Sequence, residues 1–397
     1  MKFLEKAVEK AKVPFEKGGK LEKYYVLFES IESLLFVSKD TTLNKGAQIR
    51  DAVDMKRFMV TVIYAFLPAL VFGTYNVGYQ YYQAIGLEPS GSWDIWWVGI
   101  QRVVPQILVA YVAGLLIAEF AFSYVRQHPI NEGFLISGLL IPMVLPPTLP
   151  LWEVALASIF AVVIAKEAFG GTGMNILNVA LVARAFLYFS YPGDMSGDQV
   201  WVYLGDHAAI DGFSGATPLA IVGATVESGQ NAVAALAAHG DTYSLSNMFY
   251  GLMPGSIGET SVLWILVGAV ILIATGVGSW RIILSGFAGA YGLAFIFQLI
   301  GVNPYFAMDP MYHIVMGGLA FGIVFMATDP VTASQTNTGK WIYGAMIGIL
   351  TIVIRVLNPA YPEGIMLAIL FMNVFAPLID YYVVGANKKR RLKRATV

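Results

Sequence analysis

The fold is decided by two related stretches of sequence, Gly138-Leu-Leu-Ile-Pro-Met-Val-Leu-Pro-Pro-Thr148 and Gly322-Ile-Val-Phe-Met-Ala-Thr-Asp-Pro-Val-Thr332. Both consist of a glycine, seven residues, a proline, one further residue and a threonine, and each closes an unusually short apolar segment. Proline removes a backbone donor and interrupts a helix. Paired short segments in corresponding positions of two halves are typical of membrane transport proteins built as inverted repeats. The sequence therefore predicts two repeats that contain broken helices.

The rest of the chain agrees with a membrane fold. Of its 397 residues, 57% are hydrophobic and only 13% are charged, and the mean hydropathy is +0.65, values that exclude an ordinary soluble protein. Ten apolar segments follow one another at 58–82, 103–125, 133–145, 151–165, 176–191, 262–275, 282–300, 314–327, 341–357 and 365–384. Asn178-Val179 and Asn373-Val374 recur five segments apart. We predict an all-α polytopic membrane protein with about ten transmembrane helices in two inverted five-helix repeats with broken helices.

Charge sets the orientation and the domain boundaries. Residues 193–261 contain seven carboxylates and no lysine or arginine, whereas residues 388–394 are almost all basic. By the positive-inside rule we place both termini in the cytoplasm, and we interpret the basic tail as an orientation signal and not as a nucleic-acid site. The predicted domains are a cytoplasmic N-terminal arm (1–57), a first transmembrane half (58–192), an outer-face loop (193–261), a second transmembrane half (262–384) and a basic cytoplasmic tail (385–397).

Cysteine and histidine are too scarce for metal chemistry. The chain has no cysteine, and its four histidines are scattered singly. These counts exclude disulfides and an iron–sulfur cluster held by the chain's own cysteines, and they argue against a haem or zinc site. We expect no metal ligands, so any redox chemistry must use an organic cofactor. The glycine-rich stretch 166–175 follows no predicted strand and is interpreted as a tight turn, not a nucleotide-binding loop.

The outer-face loop contains the unusual heptapeptide Asp211-Gly-Phe-Ser-Gly-Ala-Thr217. Its two glycines allow close backbone approach and leave the Thr217 hydroxyl accessible to a modifying enzyme. Asp211 is placed to orient a phosphate-bound cation or a sugar hydroxyl. The alternative is a flexible turn, which is what most short runs of glycine, serine and threonine form.

Carboxylates inside apolar segments are the second group with a chemical role. Glu119, Asp329 and Asp380 lie within or beside predicted spans, where a charge is costly and usually marks an ion path or an interior pair. Asp329 precedes a proline that must break the helix and free carbonyl groups, an arrangement suited to a desolvated Na⁺. Two alternatives stay open: Glu119 or Asp380 faces the headgroups, or a carboxylate pairs with Arg184 or Arg355.

Several stretches, together with Ser214-Gly-Ala-Thr217, resemble one family of membrane redox proteins. They include Asn131-Glu-Gly-Phe134, Pro146-Pro-Thr-Leu-Pro-Leu-Trp152, Pro254-Gly-Ser-Ile-Gly-Glu259, Phe325-Met-Ala-Thr-Asp-Pro330 and Phe375-Ala-Pro-Leu-Ile-Asp380. The family is the NqrB/RnfD family, whose members belong to the sodium-pumping NADH:quinone oxidoreductase or to the Rnf complex. The similarity extends from the N-terminal arm to the basic tail.

The resemblance implies a membrane component of a respiratory Na⁺ pump, a translocase that couples electron transfer from NADH to ubiquinone to outward Na⁺ movement. In this family a threonine carries FMN through a phosphodiester bond, and the matching residue here is Thr217. The implied cofactor-binding neighbours are Asp211, Ser214, Gly215 and Ala216. A non-covalent riboflavin is also implied, whereas no catalytic residue and no NADH site are expected in this chain.

The resemblance also implies sites for the other substrates, partners and a location. The implied quinone-site residues are Asn131, Glu132, Gly133 and Phe134, and the implied Na⁺-path residues are Glu119, Asp329 and Asp380. The implied partners are the other components of the pump (NqrA, NqrC, NqrD, NqrE and NqrF), a flavin transferase and membrane lipid. The implied location is the inner membrane, with the FMN loop on the periplasmic side.

Two alternative functions stay open: the RnfD component of an Rnf-type ferredoxin:NAD oxidoreductase, and a non-redox solute channel of the same fold. The long polar arm at 1–57 and the Pro146–Trp152 stretch favour the NADH:quinone complex over Rnf. Covalent flavin would separate either redox complex from a channel.

Overall fold

The structure is a computed structural model that describes residues 55–126, 133–358 and 361–395 and, before residue 55, only residues 8, 11–15, 19, 21, 24, 25 and 28. Every regular element in this part of the chain is a helix, so the prediction of an all-α protein is confirmed. The predicted quinone-site residues Asn131 and Glu132 lie outside the described residues, as does most of the predicted N-terminal arm.

Helices are labelled in chain order. They are α1 Met55–Ile85, α2 Ser92–Arg126, α3 Gly133–Met143, α4 Leu151–Phe160, α5 Val179–Ser190, α6 Pro218–Ser228, α7 Ala232–Ala237, α8 Leu245–Tyr250, α9 Val262–Ala274, α10 Trp280–Ile300, α11 Pro310–Val315, α12 Leu319–Phe321, α13 Asn337–Leu357 and α14 Ile365–Ala395. Three wider π-helical stretches adjoin them: Val112–Glu119 within α2, Ala161–Lys166 after α4 and Gly322–Met326 after α12.

Five of the described helices, α1, α2, α10, α13 and α14, are long and apolar enough to cross a membrane, and α3, α5 and α9 are shorter apolar helices. The chain is therefore a multi-pass membrane protein. The helix at the second predicted segment begins at Ser92 and not at 103. Arg102 lies inside it because the guanidinium donates hydrogen bonds to the carbonyls of Pro147 and Leu149, so its charge does not end the helix.

The third segment breaks as the sequence predicts. Helix α3 ends at Met143, one residue after Pro142, and residues 144–150 are irregular. Freed backbone groups at this depth need partners. Gln106 Nε2 lies 3.3 Å from Pro146 O and 3.2 Å from Pro147 O, and the Gly258 N–H donates to Met143 O at 2.7 Å. The break is thus a satisfied structure and not a frayed end.

The eighth segment is broken twice. Predicted as one run from 314 to 327, it consists of α11 and of α12 with its π-helical extension, separated by residues 316–318. The fully buried Arg355 holds the gap: its Nη1 donates to His313 O (2.6 Å), its Nη2 to Met316 O (2.9 Å) and its Nε to Glu363 O (3.0 Å). The guanidinium fork therefore supplies the donors that the interrupted helix lacks.

The two halves share a packing pattern. Helix α2 packs on α4 as α10 packs on α13, and α4 packs on α5 as α13 packs on α14. The halves meet where α1 contacts α9 and α5 contacts α14. At the second contact the Asn178 N–H donates to Asn373 Oδ1 at 3.2 Å, so the two asparagines that recur in the sequence touch each other. This pattern supports the predicted repeat, and the opposite direction of its halves stays a prediction.

Candidate functional site

Thr217 is the N-cap of helix α6. Its backbone is extended, Pro218 occupies the first helical position, and its Oγ1 accepts a hydrogen bond from the Ala220 N–H at 3.3 Å. The side chain is half-buried. Threonine is a favoured cap because it satisfies a free N–H, and the same helix end carries partial positive charge. A phosphate on this oxygen would therefore meet a favourable potential.

The backbone before Thr217 is held by specific contacts. Gly215 is buried against Asp198, and a Cβ built on it would lie 2.4 Å from Asp198 O. The Tyr243 hydroxyl donates to Ala216 O at 2.6 Å, and the Ala216 N–H donates to Ser214 Oγ at 3.3 Å. These contacts hold the end of the heptapeptide in one conformation, which composition alone does not require.

Gly215→Ala is expected to displace this segment, because the added methyl group meets a backbone carbonyl that cannot move aside. Overpacking of this kind costs about 1–3 kcal/mol. We expect a lower midpoint of thermal unfolding in detergent and faster proteolysis of the outer-face loop. Gly193→Ala is the matched control, since a Cβ there meets nothing within 4 Å. Equal behaviour of the two variants would contradict the close contact.

Thr217 opens into a cavity on the predicted outer side, here called the outer cavity. The cavity has about 770 Å³ of space free of protein atoms, part of it open to solvent. Its polar and aromatic lining residues include Arg184, Tyr188, Trp201, Glu259, Thr260, Tyr361 and Glu363. A pocket of this size and mixed character is typical of sites for small organic ligands.

A buried ion cluster forms one wall of the outer cavity. Arg184 Nη1 lies 2.8 and 2.9 Å from the two carboxylate oxygens of Glu259, and its Nη2 contacts the Glu363 carboxylate. Arg184 and Glu259 are both buried. Burial raises the pKa of Glu259 to about 7, although the guanidinium acts to lower it. The cluster can therefore hold a fixed positive charge and exchange a proton near neutral pH.

Two of the predicted cofactor-binding residues lie elsewhere. Asp211 and Ser214 line a second, polar outer cavity of about 730 Å³, together with His239, Asp241 and Asn247. The structure thus places the two ends of the heptapeptide in different cavities. Asp211 is exposed, and it faces this second space and not the one that Thr217 lines.

The inner cavity, on the predicted cytoplasmic side, contains residues from both other predicted sites. Gly133 and Asp329 line it with Lys166 and Asn178. Asp329 Oδ1 accepts from the Val331 N–H at 3.1 Å. The structure therefore brings one predicted quinone-site residue and one predicted Na⁺-path residue to a common space.

Glu119 and Phe134 meet at Lys166. The Lys166 ammonium forms a buried salt bridge with Glu119 and lies 5.7 Å from the centre of the Phe134 ring. Phe134 packs edge-on against Tyr111. An ion pair so deep in the protein is stabilised only by good geometry, so this cluster ties α2, α3 and the end of the α4 segment together.

Asp380 has a different environment. Its Oδ1 accepts from the Ser334 hydroxyl (2.7 Å), the Thr336 hydroxyl (2.6 Å) and the Thr336 N–H (3.0 Å), and its Oδ2 accepts from the Gln335 N–H (2.7 Å). These bonds fix the turn that leads into α13. Asp380 therefore anchors the chain after the broken eighth segment.

Sequence reasoning misses the partners in these clusters. It places Lys166 in a tight turn and gives Arg184 no specific partner, although each stands at or inside an apolar segment. The available signal is a basic residue at membrane depth, which normally requires an acidic neighbour. Glu259 and Glu363 are recognisable only as acidic residues at the ends of outer loops.

Comparison with known proteins agrees with these features. The model of the NQR2, RnfD, RnfE family matches residues 42–389. Three similar curated proteins are each named as the NqrB component of Na(+)-translocating NADH-quinone reductase. The protein of Ectopseudomonas mendocina is 44% identical and the match covers 98% of each chain. That of Chromohalobacter salexigens is 45% identical, covering 98% of this chain and 95% of its own, and that of Yersinia pestis is 46% identical, covering 98% and 99%. With the matched residues spanning nearly the whole chain and both broken segments, the protein belongs to the NQR2, RnfD, RnfE family.

Proposed function

We propose that the chain is the NqrB component of a Na⁺-translocating NADH-quinone reductase and that Thr217 carries FMN through a phosphodiester bond. The observation that carries the second part is the position of the Thr217 oxygen, at the N-terminus of α6 and at the mouth of the outer cavity. The names of the similar proteins support the first part over an Rnf component and over a channel.

The residues present fit a phosphate-bearing group. The loop 193–261 has no lysine or arginine, so positive potential at Thr217 comes from the free N–H groups of α6 and from Arg184 in the cavity wall. Buried side chains hold Gly215 and Ala216 in place beside the attachment point. Bound there, the flavin would supply electron transfer, which no side chain of this chain can provide.

Mass spectrometry of the peptide that contains Thr217 tests the proposal. The complex is purified from cells that attach flavin, and this chain is isolated from it and digested. A peptide that carries the mass of an FMN ester on Thr217 supports the assignment. An unmodified peptide from an active preparation would refute it.

We further propose that the inner cavity takes part in Na⁺ passage and in quinone reduction. Asp329 supplies a carboxylate there and the broken eighth segment supplies carbonyls, a donor set that suits a hard cation. Glu119 acts beside this cavity through Lys166, and Asp380 acts by holding the turn after the break. Gly133 and Phe134 remain the proposed quinone-site residues on α3.

Asp329→Asn is expected to raise the Na⁺ concentration needed for half-maximal quinone reduction by about tenfold, because the cation loses a charged ligand. Asparagine keeps the Oδ1 that accepts from Val331, so the turn should survive. Asp309→Asn is the control: Asp309 is exposed and accepts in the same way from the Met311 N–H. An unchanged Na⁺ dependence in Asp329→Asn would remove this residue from the path.

The proposed location is the inner membrane, with both termini cytoplasmic and the flavin loop periplasmic. NADH oxidation is then a task of the partner proteins NqrA, NqrC, NqrD, NqrE and NqrF. A flavin transferase must reach the outer-face loop to modify Thr217. The non-covalent riboflavin stays part of the proposal.

A further inference from the structure

Two buried hydroxyl groups face the outer cavity without a partner. Tyr361 is 6% exposed and Thr260 is 3% exposed, and neither the Tyr361 hydroxyl nor Thr260 Oγ1 has a hydrogen-bond partner among the described residues. A buried polar group left in this way costs about 1–3 kcal/mol. Both residues line the cavity that Thr217 opens into, so a ligand there would remove the cost.

The walls of the outer cavity indicate the chemistry of that ligand. Tyr188 and Tyr361 pack edge-to-face with ring centres 4.7 Å apart, and Trp201 adds a further aromatic surface. Arg184 contributes a buried cation. Aromatic surface beside a few polar groups is typical of a pocket for a flat heteroaromatic ring with one polar edge.

We propose that the isoalloxazine ring of the flavin on Thr217 binds in the outer cavity, with the hydroxyls of Tyr361 and Thr260 as hydrogen-bond partners of its polar edge. The inference rests on the proposed attachment at Thr217. The ring's carbonyl and N–H groups lie along one edge and can pair with two hydroxyls at once, while its apolar edge contacts the aromatic side chains. Tyr361 and Thr260 are therefore positioning residues for the cofactor.

The chemistry of Tyr361 fits this role. Burial raises the pKa of its phenol well above the usual range, so the group stays a donor throughout the neutral range. A donor to a flavin carbonyl binds the reduced ring more tightly than the oxidised ring, because reduction increases the negative charge on that edge. Loss of the hydroxyl should consequently make the flavin harder to reduce.

The test uses Tyr361→Phe and Thr260→Val in the assembled complex, with Tyr305→Phe as the matched control. The Tyr305 hydroxyl is also buried without a partner among the described residues, but Tyr305 does not line the outer cavity. Each complex is titrated with a chemical reductant while flavin absorbance is recorded. Subtraction of the same titration of a Thr217→Ala complex isolates this one flavin.

We expect each cavity variant to change the ratio of affinities for the reduced and oxidised ring by about tenfold, which is about 30 mV lower for a two-electron midpoint. Tyr305→Phe should titrate like the wild type. Midpoints unchanged in both Tyr361→Phe and Thr260→Val, with the flavin still attached, would overturn the inference and leave the attachment at Thr217 standing. Absence of flavin from the denatured wild-type chain would overturn both.

Discussion

Thr217→Ala is expected to remove the covalent flavin from the protein completely. The phosphodiester needs the side-chain oxygen, and alanine has none. On a denaturing gel under ultraviolet light, the fluorescent band of this chain should disappear, and Na⁺-stimulated quinone reduction by the complex should fall to background. The loss of the α6 cap costs only about 1 kcal/mol, so the protein should still assemble.

Two further variants make this result specific. Thr217→Ser keeps both an oxygen and a favoured cap, and we expect it to retain some attached flavin. Thr242→Ala removes an exposed hydroxyl from the same outer-face loop and should retain full fluorescence. A fluorescent band that survives in Thr217→Ala would show that the flavin is attached to another residue.

Arg355→Met is expected to have the largest effect on stability. It removes the only donors that the structure gives, within the described residues, to the carbonyls of His313 and Met316 as side-chain partners, and it also frees Glu363 O. Removing one partner of a buried charged network costs about 3–5 kcal/mol. The midpoint of thermal unfolding in detergent should fall sharply, and the yield of assembled complex should fall with it.

The controls for this prediction separate charge from geometry. Arg355→Lys keeps the charge but not the fork that reaches three carbonyls, so it should rescue little. Arg390→Met removes an exposed arginine of the basic tail and should leave the unfolding midpoint unchanged. If Arg355→Met unfolded at the same temperature as Arg390→Met, the guanidinium would not hold the broken segment.

Much of the fold is predictable because bilayer physics writes it into local sequence. Apolar length, the prolines after Gly138 and Gly322, and the charge of the loops each act over a short window. The second break of the eighth segment is not predictable in this way. It depends on Arg355, which lies on another helix, so no local pattern near residue 316 reveals that free carbonyls are tolerated there.

The candidate site is predictable only at its point of attachment. The threonine stands in a recognisable heptapeptide, whereas the cavity beside it is assembled from distant parts of the chain. Arg184 pairs with Glu259 and Glu363, which are 75 and 179 residues away in sequence. Side chains that meet at such separations leave no spacing pattern, and a single sequence offers no other signal for them.

The two wide turns that end at Glu119 and Lys166 give the inner half of the molecule a mechanical property. A π-helical turn carries one residue more than an α-helical turn does, and such turns often occur at functional sites. Returning either turn to α-helical register would swing its final side chain by about 100° around the helix axis. Because the Lys166–Glu119 bond joins the last residues of both stretches, a slip of one residue in either helix would separate the two at a single point, without unfolding anything else.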